Sequence, residues 1–360
     1  IPSGALAEWD GRSEQWKVIR RNQFTEVTGP GGITGNEKPD TDPIWTIGWD
    51  HRSLILMVRD VGTESVGGVP SPREASAPSQ PRGEGTPPTS ATGKWHSYRL
   101  PKASHSYDGA HGWNTEWPRI REIGEGDKLL ATMHGTFWAF PKTFSAHNTA
   151  GIVPRSNYLK VIGDFARWND RVVFGCDDTA KNEFLNKSKT KGNIAAPQSQ
   201  SNLWFVAPDQ LDKLGPVIGR GAVWMNDPVT HDKPSDPFLI DGYRRKGLHL
   251  AREIDGDSKP PVIRIEVDEA GNGTWKTIRE IDFKDAYQWI DLTNVKGVWL
   301  RLTSGADLKN ATAFFQFSNA DSRGDAPDAI FKGLAASGAK GLTGGLVRAL
   351  GENRRTLALS

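Results

Sequence analysis

The chain carries a single cysteine, Cys176, among its 360 residues. A lone thiol closes no internal disulfide, so bridges point to neither an oxidising nor a reducing compartment, and the expectation for Cys176 is burial. Long apolar runs are missing as well. A membrane-crossing helix needs roughly 18 or more apolar residues, whereas the longest runs here, such as Leu54 to Val58, are strand-sized. Neither sign of charge dominates, because 45 Lys and Arg stand against 43 Asp and Glu. That balance offers no field for nucleic acid or an anionic membrane and leaves small molecules or neutral-to-acidic polymers as partners. The standard signatures of zincins, P-loop NTPases, α/β-hydrolases, Cys-x-x-Cys sites and EF-hands are absent, and Gly29 to Gly35 does not fit a dinucleotide fingerprint. No cofactor is named by any motif. The chain opens Ile1-Pro2-Ser3-Gly4, without methionine or a charged-then-apolar leader, which predicts a processed or excised product and leaves its address open.

What the sequence has in abundance is short apolar or alternating runs separated by turn residues. Trp16 to Arg20, Ile44 to Trp49, Leu54 to Val58, Trp95 to Leu100, Arg119 to Ile123, Leu129 to Met133, Phe137 to Phe140 and Tyr158 to Ile162 all read as strands. Arg171 to Gly175, Leu203 to Val206, Ala222 to Met225, Gly247 to Ala251, Val262 to Val267, Thr274 to Ile278, Gly297 to Leu302 and Ala313 to Phe317 continue the series. Asp268 to Gly273 reads as a hairpin turn. Helical segments are few: one turn at Pro208 to Leu214, and short helices at Asp328 to Ala336 and Gly344 to Leu350. With 39 Gly and 23 Pro, the pattern predicts an all-β fold.

A divergent repeat selects among all-β architectures. Ile44 to Leu100, Thr115 to Phe144 and Asn157 to Leu211 each run strand, turn, strand, turn, aromatic strand. Such units of roughly 40 to 50 residues are the expectation for the four-stranded antiparallel blades of a β-propeller. Blades would fill residues 1–320, interrupted at 62–94 by a Gly, Pro, Ser and Ala-rich insertion that reads as a disordered surface loop. Residues 321–360 would add the short helices and a terminal strand at Arg354 to Ser360, which hints at a ring cut within a repeat.

Two histidines stand out in polar-aromatic surroundings. His111 follows Asp108 and precedes Trp113, Glu116, Trp117, Arg119 and Arg121, the two arginines sharing one face by strand alternation. That cluster suits an acidic sugar, while the plainer alternative has His111 capping a turn and the tryptophans packing. His134 ends a strand before Gly135, a turn position that would leave its imidazole near a rim or cavity, and a satisfied structural histidine is the alternative. Arg155 and Tyr158 open the next unit, where inner strands of a propeller would bring them toward the histidines. Asp177 and Asp178 could serve a turn, a cation or a substrate hydroxyl. The scattered histidines and lone cysteine give no metal-ligand spacing.

Over residues 104 to 250 this arrangement resembles the β-propeller polysaccharide lyases of the ulvan-lyase and rhamnosyl-glucuronate-lyase type. The resemblance implies cleavage of a uronic-acid polysaccharide by β-elimination, with His111, His134, Tyr158 and Arg155 as the catalytic set and a secreted or periplasmic location. Arg119, Arg121, Trp113, Trp117 and Asp108 would bind the substrate. Arg155 precedes Tyr158 here, whereas the family order is the reverse. A glycoside hydrolase on the same scaffold, with Asp177 and Asp178 in its channel, and a non-catalytic glycan- or protein-binding propeller are the rival readings.

Overall fold

The computed structural model describes residues 4–9, 13–36, 38, 41–60, 93–103, 116–177, 201–254, 260–321, 347–350 and 356–359. His111, Asp108, Trp113 and Asp178, all but the last two residues of the insertion expected at 62–94, and the helix expected at Asp328 to Ala336 lie outside them. The chain divides into two compact units, Ile1–Asp321 and Ser322–Ser360. Among the described residues there is no α-helix, so none is long and apolar enough to cross a membrane.

The first unit begins with β1 (Leu6–Glu8), β2 (Lys17–Arg20), β3 (Gln23–Thr28), β4 (Ile44–Trp49), β5 (Leu54–Arg59) and β6 (Trp95–Leu100). Next come β7 (Arg119–Arg121), β8 (Lys128–Met133), β9 (Thr136–Pro141), β10 (Val153–Asn157), β11 (Ile162–Trp168), β12 (Arg171–Asp177) and β13 (Ser201–Val206). The remainder is β14 (Ile218–Val229), β15 (Phe238–Leu239), β16 (Arg245–Arg252), β17 (Val262–Asp268), β18 (Trp275–Asp282), β19 (Tyr287–Asp291), β20 (Trp299–Ser304) and β21 (Leu308–Ser318). In the second unit β22 (Val347–Leu350) pairs antiparallel with β23 (Thr356–Leu359). That pairing corrects the helix expected over Gly344 to Leu350: an antiparallel partner supplies Val347 to Leu350 with the backbone bonds a helix would have supplied internally.

Three consecutive up-and-down meanders occupy the first half: β3–β4–β5–β6, β7–β8–β9–β10 and β11–β12–β13. The first merges with β15–β20–β17–β18 into one sheet of eight strands, joined where Phe238 of β15 pairs in parallel with Arg99 of β6. The fourth main sheet is ordered β14–β21–β16–β19. The fold is thus all-β and mostly antiparallel, and the described strands close no ring.

One hydrophobic cluster joins these layers. Inward residues of β4 to β6, such as Trp45, Leu56 and Tyr98, meet Trp138 and Phe140 of β9, and Phe238 stacks on Phe315 at 4.4 Å. Each large side chain buried here contributes roughly 1.5–3 kcal/mol from removed apolar surface alone. Two indoles in this core have their N–H bonded, Trp45 to the Phe144 carbonyl at 2.9 Å and Trp299 to the Thr149 hydroxyl at 2.7 Å, whereas that of Trp138 has no partner among the described residues. A second cluster, under the third meander, gathers Phe137, Tyr158, Phe165 and Phe174 around the buried Cys176.

Candidate functional site

The site is built on the turn between β8 and β9. Met133 pairs with Thr136, which leaves His134 and Gly135 as a two-residue loop. Both take left-handed backbone, with φ of 44 and 83, the geometry of the tight turn that matches strand twist. Glycine adopts it freely, and histidine is among the few other residues that tolerate it.

Three segments hold this turn. The Ala103 amide donates to the His134 carbonyl at 3.1 Å, and the Tyr158 amide donates to the Gly135 carbonyl at 2.9 Å. Gly135 N–H donates to Glu116 Oε2 at 2.8 Å, while the Tyr158 hydroxyl donates to Glu116 Oε1. Asn157 adds side-chain bonds to the Gly135 carbonyl and the Thr136 hydroxyl. This anchoring explains why the strand expected over Tyr158 to Ile162 is replaced by β10 and β11 on either side. Tyr158 turns its amide and hydroxyl to the loop, and its ring lies 4.3 Å from Phe137.

Burial sets the protonation states. Glu116 is 1% exposed, and desolvation pushes its carboxyl up to about 8, against the opposing bonds from Tyr158 and Gly135. No cation pairs with it in the described structure, so at neutral pH it stays largely protonated. The Tyr158 phenol is held well above its ordinary value, first by burial and then by Glu116. His134 is wholly buried, its ring 5.1 Å from Trp49. Burial, reinforced by the Lys102 charge, holds its imidazole well below the usual range and keeps it neutral.

The structure therefore brings His134 and Tyr158 to one turn and adds Glu116, which joins the Gly135 amide of that turn to the Tyr158 hydroxyl. His134 sits beneath the surface, where the sequence pattern pointed to a rim. Arg155 is on β10, its guanidinium in a two-bond pairing with Asp212 at 2.7 and 3.0 Å and bonded to Glu125 at 2.8 Å. Arg119 and Arg121 do share a face, since both reach Asp164 Oδ2, at 3.3 and 3.1 Å. Arg121 also pairs with Glu26, and the Arg119 guanidinium lies 5.4 Å from the ring of exposed Trp117. These three arginines thus have their charge matched inside the protein. Asp177 ends β12.

Sequence reasoning passed over a second polar cluster, around Arg99 of β6. This arginine has no exposure, and its guanidinium binds both oxygens of Asp50 at 3.0 and 2.8 Å, Asp236 at 2.9 Å and the Ser53 hydroxyl at 2.8 Å. The available signal was the turn Asp50-His-Arg-Ser53, whose carboxylate caps the amides of Arg52 and Ser53. Lys102 bonds the Asp50 carbonyl at 2.7 Å and so connects this cluster to the His134 turn. No protein-family model matches the chain, and no curated protein matches it.

Proposed function

We propose that the protein is a β-propeller-type carbohydrate-active enzyme that cleaves a uronic-acid polysaccharide by β-elimination. The observation that carries this reading is the anchoring of one turn by Glu116 and Tyr158, a protonated carboxyl bonded to a phenol and to the Gly135 amide, next in the chain to His134 with its neutral imidazole. In the elimination a base takes the C5 proton, the electron pair forms the C4–C5 double bond, and the departing O4 receives a proton. His134, neutral, has the lone pair the first step needs. Tyr158 suits the second, with Glu116 as its proton reserve. Each such role is worth about two to four orders of magnitude in rate. Arg155 is the guanidinium assigned to the uronate carboxylate, with His111 as the second imidazole. The three consecutive meanders support the propeller reading, since up-and-down sheets are what blades are made of.

A second reading is favoured by two observations: His134 has no exposure, and the charges of Arg155, Arg119 and Arg121 are matched. Both features suit a glycan-binding protein without catalysis. The test is incubation with a panel of uronic-acid glycans while following the ultraviolet absorbance of the unsaturated product. The lyase reading expects product from at least one glycan and its loss in Tyr158→Phe. Absence of product across the panel removes the reading.

A further inference from the structure

The outward face of the sheet β14–β21–β16–β19 displays exposed aromatic rings beside arginines. Its inward residues, among them Leu248, Leu250, Ile290 and Phe315, lie in the core. By alternation their neighbours face out. The pairing aligns His249 with Trp289, Gly247 with Asp291 and Gln316, and Arg220 with Gln316. These side chains line a cleft of about 470 Å³ that also includes Arg245. Trp289 and Tyr287 are 55% and 54% exposed, two residues apart on one strand and so roughly 7 Å from each other along it.

Three details give this face the character of a binding surface. First, a Cβ on Gly247 would stand 2.9 Å from Trp289 Nε1, so glycine is what lets the indole lie close over the neighbouring strand. Second, His249 Nδ1 and the Tyr287 hydroxyl are 2.8 Å apart in a hydrogen bond, which fixes both rings beside the indole. Third, the Arg220 and Arg245 guanidinium groups have no ion-pair or hydrogen-bond partner among the described residues, whereas Arg99, Arg121, Arg155 and Arg301 are each held by carboxylates. Among the described residues lining the cleft, Asp291 is the single acidic one.

We propose that this face is a binding platform for an anionic polysaccharide. A pyranose ring lies with its C–H face on Trp289, and its carboxylate or sulfate groups meet Arg220 and Arg245 in the two-bond geometry guanidinium favours. Gln316, Asp291 and His249 accept and donate to hydroxyls. A hydroxyl-rich chain uses such mixed donors and acceptors, whereas a single-stranded nucleic acid would call for more cations and more stacking rings than this face offers. The platform goes beyond the proposed elimination and does not depend on it. It also adjoins that site, since the cleft is bounded by Lys102 and Ala103, and the Ala103 amide bonds the His134 carbonyl.

The test titrates the full chain by calorimetry with a polygalacturonate, a sulfated galactan, a neutral β-glucan and a single-stranded oligonucleotide. The platform predicts binding of at least one anionic glycan, weakened by added salt. It also predicts at least a tenfold loss of affinity in Trp289→Ala and in the double variant Arg220→Gln, Arg245→Gln. Circular dichroism unchanged from the original chain shows that a variant is folded. Absence of binding to both anionic glycans, equal affinity for the neutral glucan or the oligonucleotide, or unaltered affinity in folded variants overturns the proposal. A chain that binds but releases no unsaturated product sustains the platform and removes the lyase reading. One that cleaves while both variants bind undiminished removes the platform alone.

Discussion

Replacing Arg99 by methionine should be among the most damaging single changes to the first unit. The side chain has no exposure, and methionine replaces its aliphatic stem while removing every donor. Asp236, 28% exposed at its side chain, would retain Arg20 at 3.1 Å. Asp50, 10% exposed at its side chain, would be left with the Arg52 and Ser53 amides alone. Stranding one partner of a buried pair costs about 3–5 kcal/mol. A unit of 321 residues melts with an entropy of about 0.7 kcal/mol/K, so that loss lowers Tm by about 4–7 °C. Differential scanning calorimetry at neutral pH reads it directly. The pH dependence gives an independent signature. Arg99 holds the folded Asp50 carboxyl below its ordinary value, although burial opposes it. Its contribution is therefore full above the unfolded value of about 4 and is lost as pH falls toward the folded value. Arg99→Met should flatten that acid limb, and adding Asp50→Asn should recover part of the loss by removing the stranded charge. A Tm drop below about 1 °C with an unchanged acid limb would refute the reasoning.

Two further outcomes follow from the His134 turn. Glu116 has a folded value of about 8, above its unfolded value of about 4.3. Its contribution is therefore greatest below the unfolded value and falls as pH rises toward 8. Glu116→Gln should abolish that decline, and Tm profiles of the two proteins between acid and mildly alkaline pH should converge at the acid end and separate above it. Gly135→Ala forces a side chain into left-handed backbone at φ 83, which costs about 1–2 kcal/mol. Urea denaturation should show a lower midpoint with an unchanged slope.

The strands were legible where alternation met turn chemistry. Ile44–Trp49 and Trp95–Leu100 have the bounds their patterns predict, and the Asp268 to Gly273 hairpin is present, its Asp268 carboxylate accepting from the amides of Gly271, Asn272 and Gly273. Strands without an apolar rhythm escaped. β3 alternates weakly in Gln-Phe-Thr-Glu-Val-Thr, and β10 contains Pro154, a residue that argues against strand. Pairing across the chain was beyond reach, because nothing local in Phe238-Leu239 announces that two residues will bridge β6 and β20. At the site, the turn at His134-Gly135 could be read from the dipeptide. Its burial could not, since it depends on Trp49, which lies on a strand of a different meander.

Asp50 and Glu116 show how one fold sets two buried carboxyls apart. Each accepts backbone amide hydrogens, and each is penalised by desolvation. The difference is the partner. Arg99 supplies two aligned N–H donors and a full positive charge to Asp50, whose anion is thereby favoured. Glu116 receives a phenol and one amide, neutral donors too weak to offset burial, and keeps its proton. A buried anion already matched by a guanidinium has little left to give a reaction, and its role is to fix β6 against the Asp50 turn. A buried carboxyl that stays neutral near physiological pH can release a proton once a nearby negative charge is relieved, or donate a hydrogen bond to one that develops. Of the two, Glu116 is the group through which chemistry at the His134 turn would have to pass. Charge on Tyr158 would build up beside its carboxyl and be met by that proton, which makes the pair, more than either histidine, the element on which the elimination reading stands.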